Sequence, residues 1–289
     1  MAYNSKNKDA EVNSRRLPMV FLLDVSGSML SGTPSRNRLT LLNEMLVDVV
    51  RKCIDVAKVR RVAEVSFMLF TDEVLLESEF RNIRWMEENM LPPRKDRHPR
   101  CGKITWKTVQ PEADANYDKS FQVPQFGISK EDGGTNIGYA LKRAVRKLEN
   151  RVKELKEFGS YPPFLILVSD GHPYEDNNPG YHEELDDQEE AIELLRSHTI
   201  THRNENNLIF PFVIGVGQED INKKRLADYA QNFRAGYFHI RDNADKEKWD
   251  YLTQILARSI TDSVTLNAFE FFDEIAEEAK KWESKQGAI

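Results

Sequence analysis

Three short stretches of this chain carry oxygen donors at spacings that could do chemistry. Asp24-Val25-Ser26-Gly27-Ser28 sets a carboxylate and two hydroxyls at every second residue. Gly133-Gly134-Thr135 adds a third hydroxyl, and Ser169-Asp170-Gly171 a second carboxylate. A hard divalent cation suits this set, since Mg²⁺ takes six oxygens at about 2.0–2.1 Å and usually keeps several waters. Asp24 and Asp170 supply charge, while Ser26, Ser28 and Thr135 supply neutral oxygens. In an extended loop, D-x-S-x-S turns alternate side chains to one side, and Gly27, Gly133 and Gly134 allow close backbone approach. Two carboxylates aimed at one point repel each other, so a cation is the natural occupant. Taken singly, Thr135 reads as a helix cap and the serines as turn formers. Neither reading accounts for all five residues together.

Such loops need elements to hold them. Residues 17–23 form a continuous apolar run, the pattern of a strand buried on both faces, and this strand would deliver Asp24. Residues 39–59 carry apolar side chains at helical spacing. Residues 62–71 and 74–80 read as two strands joined at Asp72-Glu73, hence an antiparallel edge. Further on, the spacing predicts helices over 135–158, 183–199, 222–232 and 246–259, with strands over 164–169, 208–216 and 236–240. Strands alternating with helices predict an α/β fold, a doubly wound and mostly parallel sheet with one antiparallel edge strand and helices on both faces. Ligands of such sheets bind at the carboxyl ends of the strands, where connections diverge. All three oxygen-bearing loops belong there.

These loops resemble the metal-ion-dependent adhesion site of von Willebrand factor A domains, with Asp24-Val25-Ser26-Gly27-Ser28-Met29, Gly133-Gly134-Thr135 and Ser169-Asp170-Gly171 in the family order. Phe212-Val213-Ile214-Gly215-Val216-Gly217, followed by a helix bearing Leu226 and Ala230, resembles the family's later strand and turn. The resemblance covers residues 17–260. It implies a Rossmann-like fold and a Mg²⁺ ion, replaceable by Mn²⁺ or Ca²⁺, held directly or through water by Asp24, Ser26, Ser28, Thr135 and Asp170. It also implies that a Glu or Asp of a partner protein completes the coordination. Within the family, the opening Arg15-Arg16-Leu17-Pro18 most resembles the bacterial tellurium-resistance-type members, which implies a scaffold in stress response or defence.

Around this core the domain plan is a polar lead over 1–16, expected to be disordered, and a domain over 17–260. A C-terminal amphipathic helical extension follows over 261–289. An insertion at about 84–131 departs from the family pattern. It contains Pro92, Pro93, Pro99, Pro111 and Pro124 and the basic cluster around Arg94–Arg100. The extension sets Phe269, Phe272, Ile275, Ala276, Ala279 and Trp282 at three- and four-residue spacing, for docking on its own domain or on a partner.

Composition narrows the function classes. The chain has 289 residues, with 41 basic against 47 acidic and a net charge of -6, which argues against a dedicated nucleic-acid binder. No apolar run reaches the ~20 residues of a membrane span, and the polar opening stretch is no secretory signal, so the cytoplasm is the expected location. Cys53 and Cys101 make no disulfide framework and are expected as two reduced thiols. The six histidines show no zinc-like spacing with the cysteines. His172 and His182 follow Asp170 closely, but read as solvated loop residues. Asp186, Asp187, Glu189 and Glu190 crowd an early helical turn, where the helix dipole favours them without any function.

An enzyme finds less support. A haloacid-dehalogenase-type phosphatase needs a second acid two residues after the first, and Ser26 stands there. There is no G-x-S-x-G elbow, Walker A loop or G-x-G-x-x-G, and no evident general base beside the metal loops. The leading expectation is a Mg²⁺-dependent protein-interaction module. A metal-dependent phosphohydrolase is the alternative, and a nucleic-acid adaptor working through the insertion comes third.

Overall fold

The structure, a computed structural model, describes residues 15–30, 32–33, 36–85, 135–171, 181–198, 208–217, 223–231, 237–241, 246–266, 274–275, 277–278 and 280–282. The 84–131 insertion beyond Trp85, the lead up to residue 14, Asp132, Gly133, Gly134, Cys101 and His172 lie outside the described residues.

The strand β1 (Leu17–Asp24) is buried at every position, which is why its sequence runs apolar rather than alternating. It pairs in parallel with β4 (Ala63–Phe70) on one side and β7 (Phe164–Ser169) on the other. β8 (Phe210–Val216) and β9 (Tyr237–Ile240) extend the parallel array beyond β7. At the other edge, β5 (Val74–Glu77) runs antiparallel to β4 after a tight turn at Thr71–Glu73, and the two-residue β6 (Arg81–Asn82) also pairs antiparallel with β4. Among the described residues this is a seven-stranded sheet, ordered β5-β4-β1-β7-β8-β9 with β6 beside β4. The expected α/β fold and its antiparallel edge are present.

The winding follows from that order. From β1 the chain crosses to β4 through α1 (Arg38–Asp55) and α2 (Ala57–Val62). It then moves the opposite way, to β7 after α3 (Ile137–Glu154) and to β8 after α4 (Tyr181–Arg196). The helix α5 (Lys223–Gln231) leads to β9. Right-handed crossovers running in opposite directions place their helices on opposite faces. Accordingly α3 packs on α4, and the last helix, α6 (Lys246–Asp262), returns to pack on α1. The switch of direction falls between β1 and β7.

Two local departures from the sequence reading have simple causes. The helix expected over 39–59 is two helices, α1 and α2, meeting at Val56, whose backbone is extended (φ -88, ψ 108). Burial drives the break, because Val59 and Val62 turn inward only after the chain redirects. At the other end, Trp282 of the C-terminal segment is 2% exposed and stacks on Tyr251 of α6 with centroids 5.8 Å apart. Its indole N–H donates to the His239 carbonyl at 3.0 Å, and Ile275 of the same segment is also buried. This part of the segment packs on its own domain.

Cys53 is buried and free, and burial pushes its thiol up to about 12, so it is inert to alkylation in the folded chain.

The contact of α3 with α4 is close enough to forbid a side chain at Gly138. A Cβ there would come within 2.4 Å of the Asp187 carbonyl carbon and 2.5 Å of the Gln188 nitrogen. Both are backbone atoms, so the helices themselves would have to part. Gly138→Ala should lower stability by about 1–3 kcal/mol, read as a lower urea midpoint at unchanged slope. A midpoint equal to wild type would show that the two helices do not meet this closely.

Candidate metal centre

The carboxyl ends of β1 and β7 carry the two acids of the expected set. Asp24 is the last residue of β1 and is fully buried, and Asp170 follows the last residue of β7 and is equally buried. Ser26 and Thr135 are 2% and 1% exposed, while Ser28 is half-buried. Thr135 directly precedes the cap residue of α3, whose start is tied to the end of β4 by the Asn136 N–H donating to the Thr71 carbonyl at 3.0 Å. The cap of α3 is Asn136, whose side chain accepts from the Tyr139 N–H at 2.9 Å. Thr135 is therefore not spent on capping.

The first loop is not the extended strand-like segment that its alternation suggested. Residues Gly27–Leu30 form a 3₁₀ turn, with the Met29 N–H donating to the Ser26 carbonyl at 3.0 Å. The cause is Met29, fully buried, which draws the chain inward. The serines still meet, their Oγ atoms 3.0 Å apart. Asp24 fixes the start of this turn, its Oδ1 accepting from the Ser26 N–H at 2.8 Å.

Two residues not assigned a role from the sequence complete the site. The Ser169 hydroxyl donates to Asp24 Oδ2 at 2.6 Å and accepts from the Gly171 N–H at 2.9 Å. Gly171 adopts φ 72, the left-handed region that lets the chain turn sharply behind Asp170. Arg38 donates to Asp170 Oδ2 at 2.7 Å, with side-chain exposures of 5% and 0%. The same nitrogen lies 3.3 Å from the Ser28 carbonyl. A two-strand hairpin, β2 (Gly32–Thr33) with β3 (Arg36–Asn37), delivers Arg38 from the first loop into α1. A sequence signal for it did exist: a cation at the first turn of a helix opposes the helix dipole, so it needs a counter-charge.

Among the described residues, two buried carboxylates stand at the strand ends, and the Arg38 guanidinium pairs with that of Asp170. Burial, and next the charge of Asp170, push the Asp24 carboxyl up to about 7, against the hydrogen bonds from Ser169 and Ser26 that favour its charged form. The donors in the expected set are all oxygen, two acids and three hydroxyls. That chemistry fits a hard divalent cation. Among the described residues no cluster of three His, Cys, Asp or Glu side chains forms an alternative metal site. Asp187 and Glu190, noted in the sequence as dipole-favoured, instead pair with Lys142 of α3 and help seat α4.

Comparison with known proteins comes from three directions. The sequence matches the von Willebrand factor type A domain family over residues 107–255, a span that holds Thr135 and Asp170 and begins after Asp24, Ser26 and Ser28. No curated protein matches the chain. Among solved structures, the proximal thread matrix protein 1 of the mussel byssus is 16% identical, with TM-score 0.48, over 85% of this chain and 46% of that one. The PilB minor pilin of Streptococcus sanguinis is 13% identical, with TM-score 0.48, over 85% of this chain and 62% of that one. The manganese-loaded TRAP protein of Plasmodium vivax is 17% identical, with TM-score 0.43, over 85% of this chain and 73% of that one. The chain thus spans less than two thirds of the first two.

The raised Asp24 carboxyl sets a pH dependence. A carboxyl held above its ordinary value is more stable neutral in the folded chain than ionised. The contribution of Asp24 to stability is therefore fully present below about pH 4 and is lost as pH rises through about 7. In EDTA, the melting temperature of wild type should fall more between pH 5 and pH 8 than that of Asp24→Asn. At pH 8 the variant should melt no lower than wild type. Parallel pH profiles would show that the Asp24 charge is balanced within the protein.

Proposed function

We propose, from the premise that this chain belongs to the von Willebrand factor type A domain family, that it is a module binding another protein through a divalent cation. The cation is Mg²⁺, with Mn²⁺ or Ca²⁺ as substitutes. Asp24, Ser26, Ser28, Thr135 and Asp170 would hold it, directly or through water. The observation that carries this reading is the pair of buried carboxylates at the β1–β7 switch, with Ser26 and Ser28 beside Asp24 and Arg38 on Asp170. When bound, the ion would supply an electrophilic centre for one further anionic oxygen, and a Glu or Asp of the partner is the protein group of that kind. Asp24 and Asp170 place the negative charge, while the hydroxyls add none, so the ion retains attraction for a third carboxylate.

The chain's own residues do the positioning. Ser169 holds Asp24 Oδ2 and Ser26 holds Oδ1, fixing the carboxylate plane. Arg38 holds Asp170 from the side of α1. A finer reading belongs to the same proposal: a cytoplasmic scaffold in a bacterial stress-response or defence system. It rests on Arg15-Arg16-Leu17-Pro18 and on the expectations from composition. Among the described residues, no helix is long and apolar enough to cross a membrane. The metal-dependent phosphohydrolase stands as the competing use of the same ion.

Arg38→Met tests the place of the guanidinium. Removing one partner of a buried ion pair costs about 3–5 kcal/mol. The variant should melt lower than wild type in EDTA and gain more from added Mg²⁺ than wild type does. An equal gain in both would separate Arg38 from the cation.

Affinity capture in Mg²⁺ and in EDTA tests the function. A partner should be retained by wild type in Mg²⁺ only, and by Asp170→Ala in neither. Equal yields in Mg²⁺ and EDTA would remove the metal from binding. Mg²⁺-dependent phosphoester turnover lost in Asp24→Asn would favour the hydrolase.

A further inference from the structure

The helices α3 and α4 meet near their amino ends, and one bond between them lands beside a residue of the metal loops. Gly138 of α3 faces the backbone of α4 so closely that a Cβ would stand 2.6 Å from the Asp187 carbonyl oxygen. Close by, the Asp187 side chain, 14% exposed, accepts from Lys142 Nζ on one oxygen. On its other oxygen it accepts from Asn136 Nδ2 at 2.7 Å. Asn136 is the cap of α3 and directly follows Thr135. Lys142 also donates to Glu190 at 2.6 Å. The seating of α4 on α3 therefore has supports that do not involve Asn136.

The bond to Asn136 has a separate consequence. A carboxamide carries an oxygen and a nitrogen of similar size, and either can face either neighbour. An ionised carboxylate only accepts, so Asp187 turns the nitrogen of Asn136 toward α4. The oxygen is left to accept from the Tyr139 N–H at 2.9 Å, which closes the first turn of α3. Asn136 itself lies outside helical geometry (φ -90, ψ 79), so these bonds set its conformation rather than the helix. Its main chain is held too, the N–H donating to the Thr71 carbonyl at 3.0 Å. The Val25 N–H donates to the preceding carbonyl, that of Phe70, at 2.9 Å. Thr135, 1% exposed, is thus one peptide from a residue fixed through both its side chain and its main chain.

We propose, on the reading of Thr135 as one of the residues that hold the ion, that Asp187 is a positioning residue for the cation, fixing Thr135 through Asn136. A donor ordered before the ion arrives removes an ordering cost from binding. Outer partners of metal-holding residues typically contribute about tenfold or more in affinity. Asp187 lies on the helix that follows β7 and Asp170 in the chain, so the bond also ties that part of the domain to the start of α3.

Titration of the full chain with Mn²⁺, read from the paramagnetic resonance signal of the free ion, gives the affinity with no partner present. Asp187→Ala should weaken Mn²⁺ binding about tenfold. Glu190→Gln, which disturbs only the pairing with Lys142, should leave the affinity at the wild-type value. In a Thr135→Ala background, Asp187→Ala should cost nothing further, because the hydroxyl it positions is gone. Should Asp187→Ala fail to fold, Asn136→Ser replaces it. Serine caps a helix but offers Asp187 no amide nitrogen, and the same loss is expected. Binding that is lost in Asp24→Asn yet equal to wild type in Asp187→Ala or Asn136→Ser would overturn the role of Asp187 alone. So would a loss of equal size with Thr135 present or absent, or an equal loss in Glu190→Gln. No saturable Mn²⁺ binding by wild type would overturn the cation site itself, and the role of Asp187 with it.

Discussion

Asp24 ends a strand that is buried along its whole length, and its carboxylate is fully buried with it. A charge so placed must be balanced by protein groups or by a cation, because the desolvation penalty is large. Asp170 deepens the problem, as a second buried carboxylate at the neighbouring strand end. Much of the local structure answers this constraint. Ser169, the Ser26 amide and Arg38 each donate to one of the two acids, and the hydroxyls of Ser26 and Ser28 meet beside them.

The winding of the sheet makes that concentration of charge possible without dispersing the core. β1 sends its chain one way and β7 the other, so the space above the two strands is not covered by a direct connection. The loops that border this space are held by the framework rather than by each other. Val25 donates to the carbonyl of Phe70, and Asn136 to that of Thr71, so the first loop and the start of α3 both hang from the end of β4. Below them, Phe21, Phe67, Phe164, Phe210 and Phe212 fill the interior.

The two ends of the sheet carry different ionisable groups. Carboxylates gather at the carboxyl ends of β1 and β7, and arginines at the amino ends of β1 and β4. Both arrangements sit in a chain of mild net negative charge. The net value therefore conveys little about the local environment of either group.

How much was legible in advance follows from what each feature depends on. Strands 17–23 and 164–169 were readable because burial on both faces demands an unbroken apolar run, which is local. The acids at the ends of β1 and β7 are readable because each directly follows an apolar strand run, which is local. Ser169 and Arg38 were not assigned roles, because those depend on partners 145 and 132 residues away. The 3₁₀ turn after Ser26 and the break at Val56 depend on which apolar residues the core draws inward. The bond from Asn136 to Asp187 depends on the meeting of two helices, across 51 residues of sequence. Periodicity and residue type, set by the sequence alone, determined the elements and the chemistry available. Pairing of buried charges and the meeting of α3 with α4 were decided by the tertiary structure, because Coulomb and hydrogen-bond energies depend on distance in space and not along the chain.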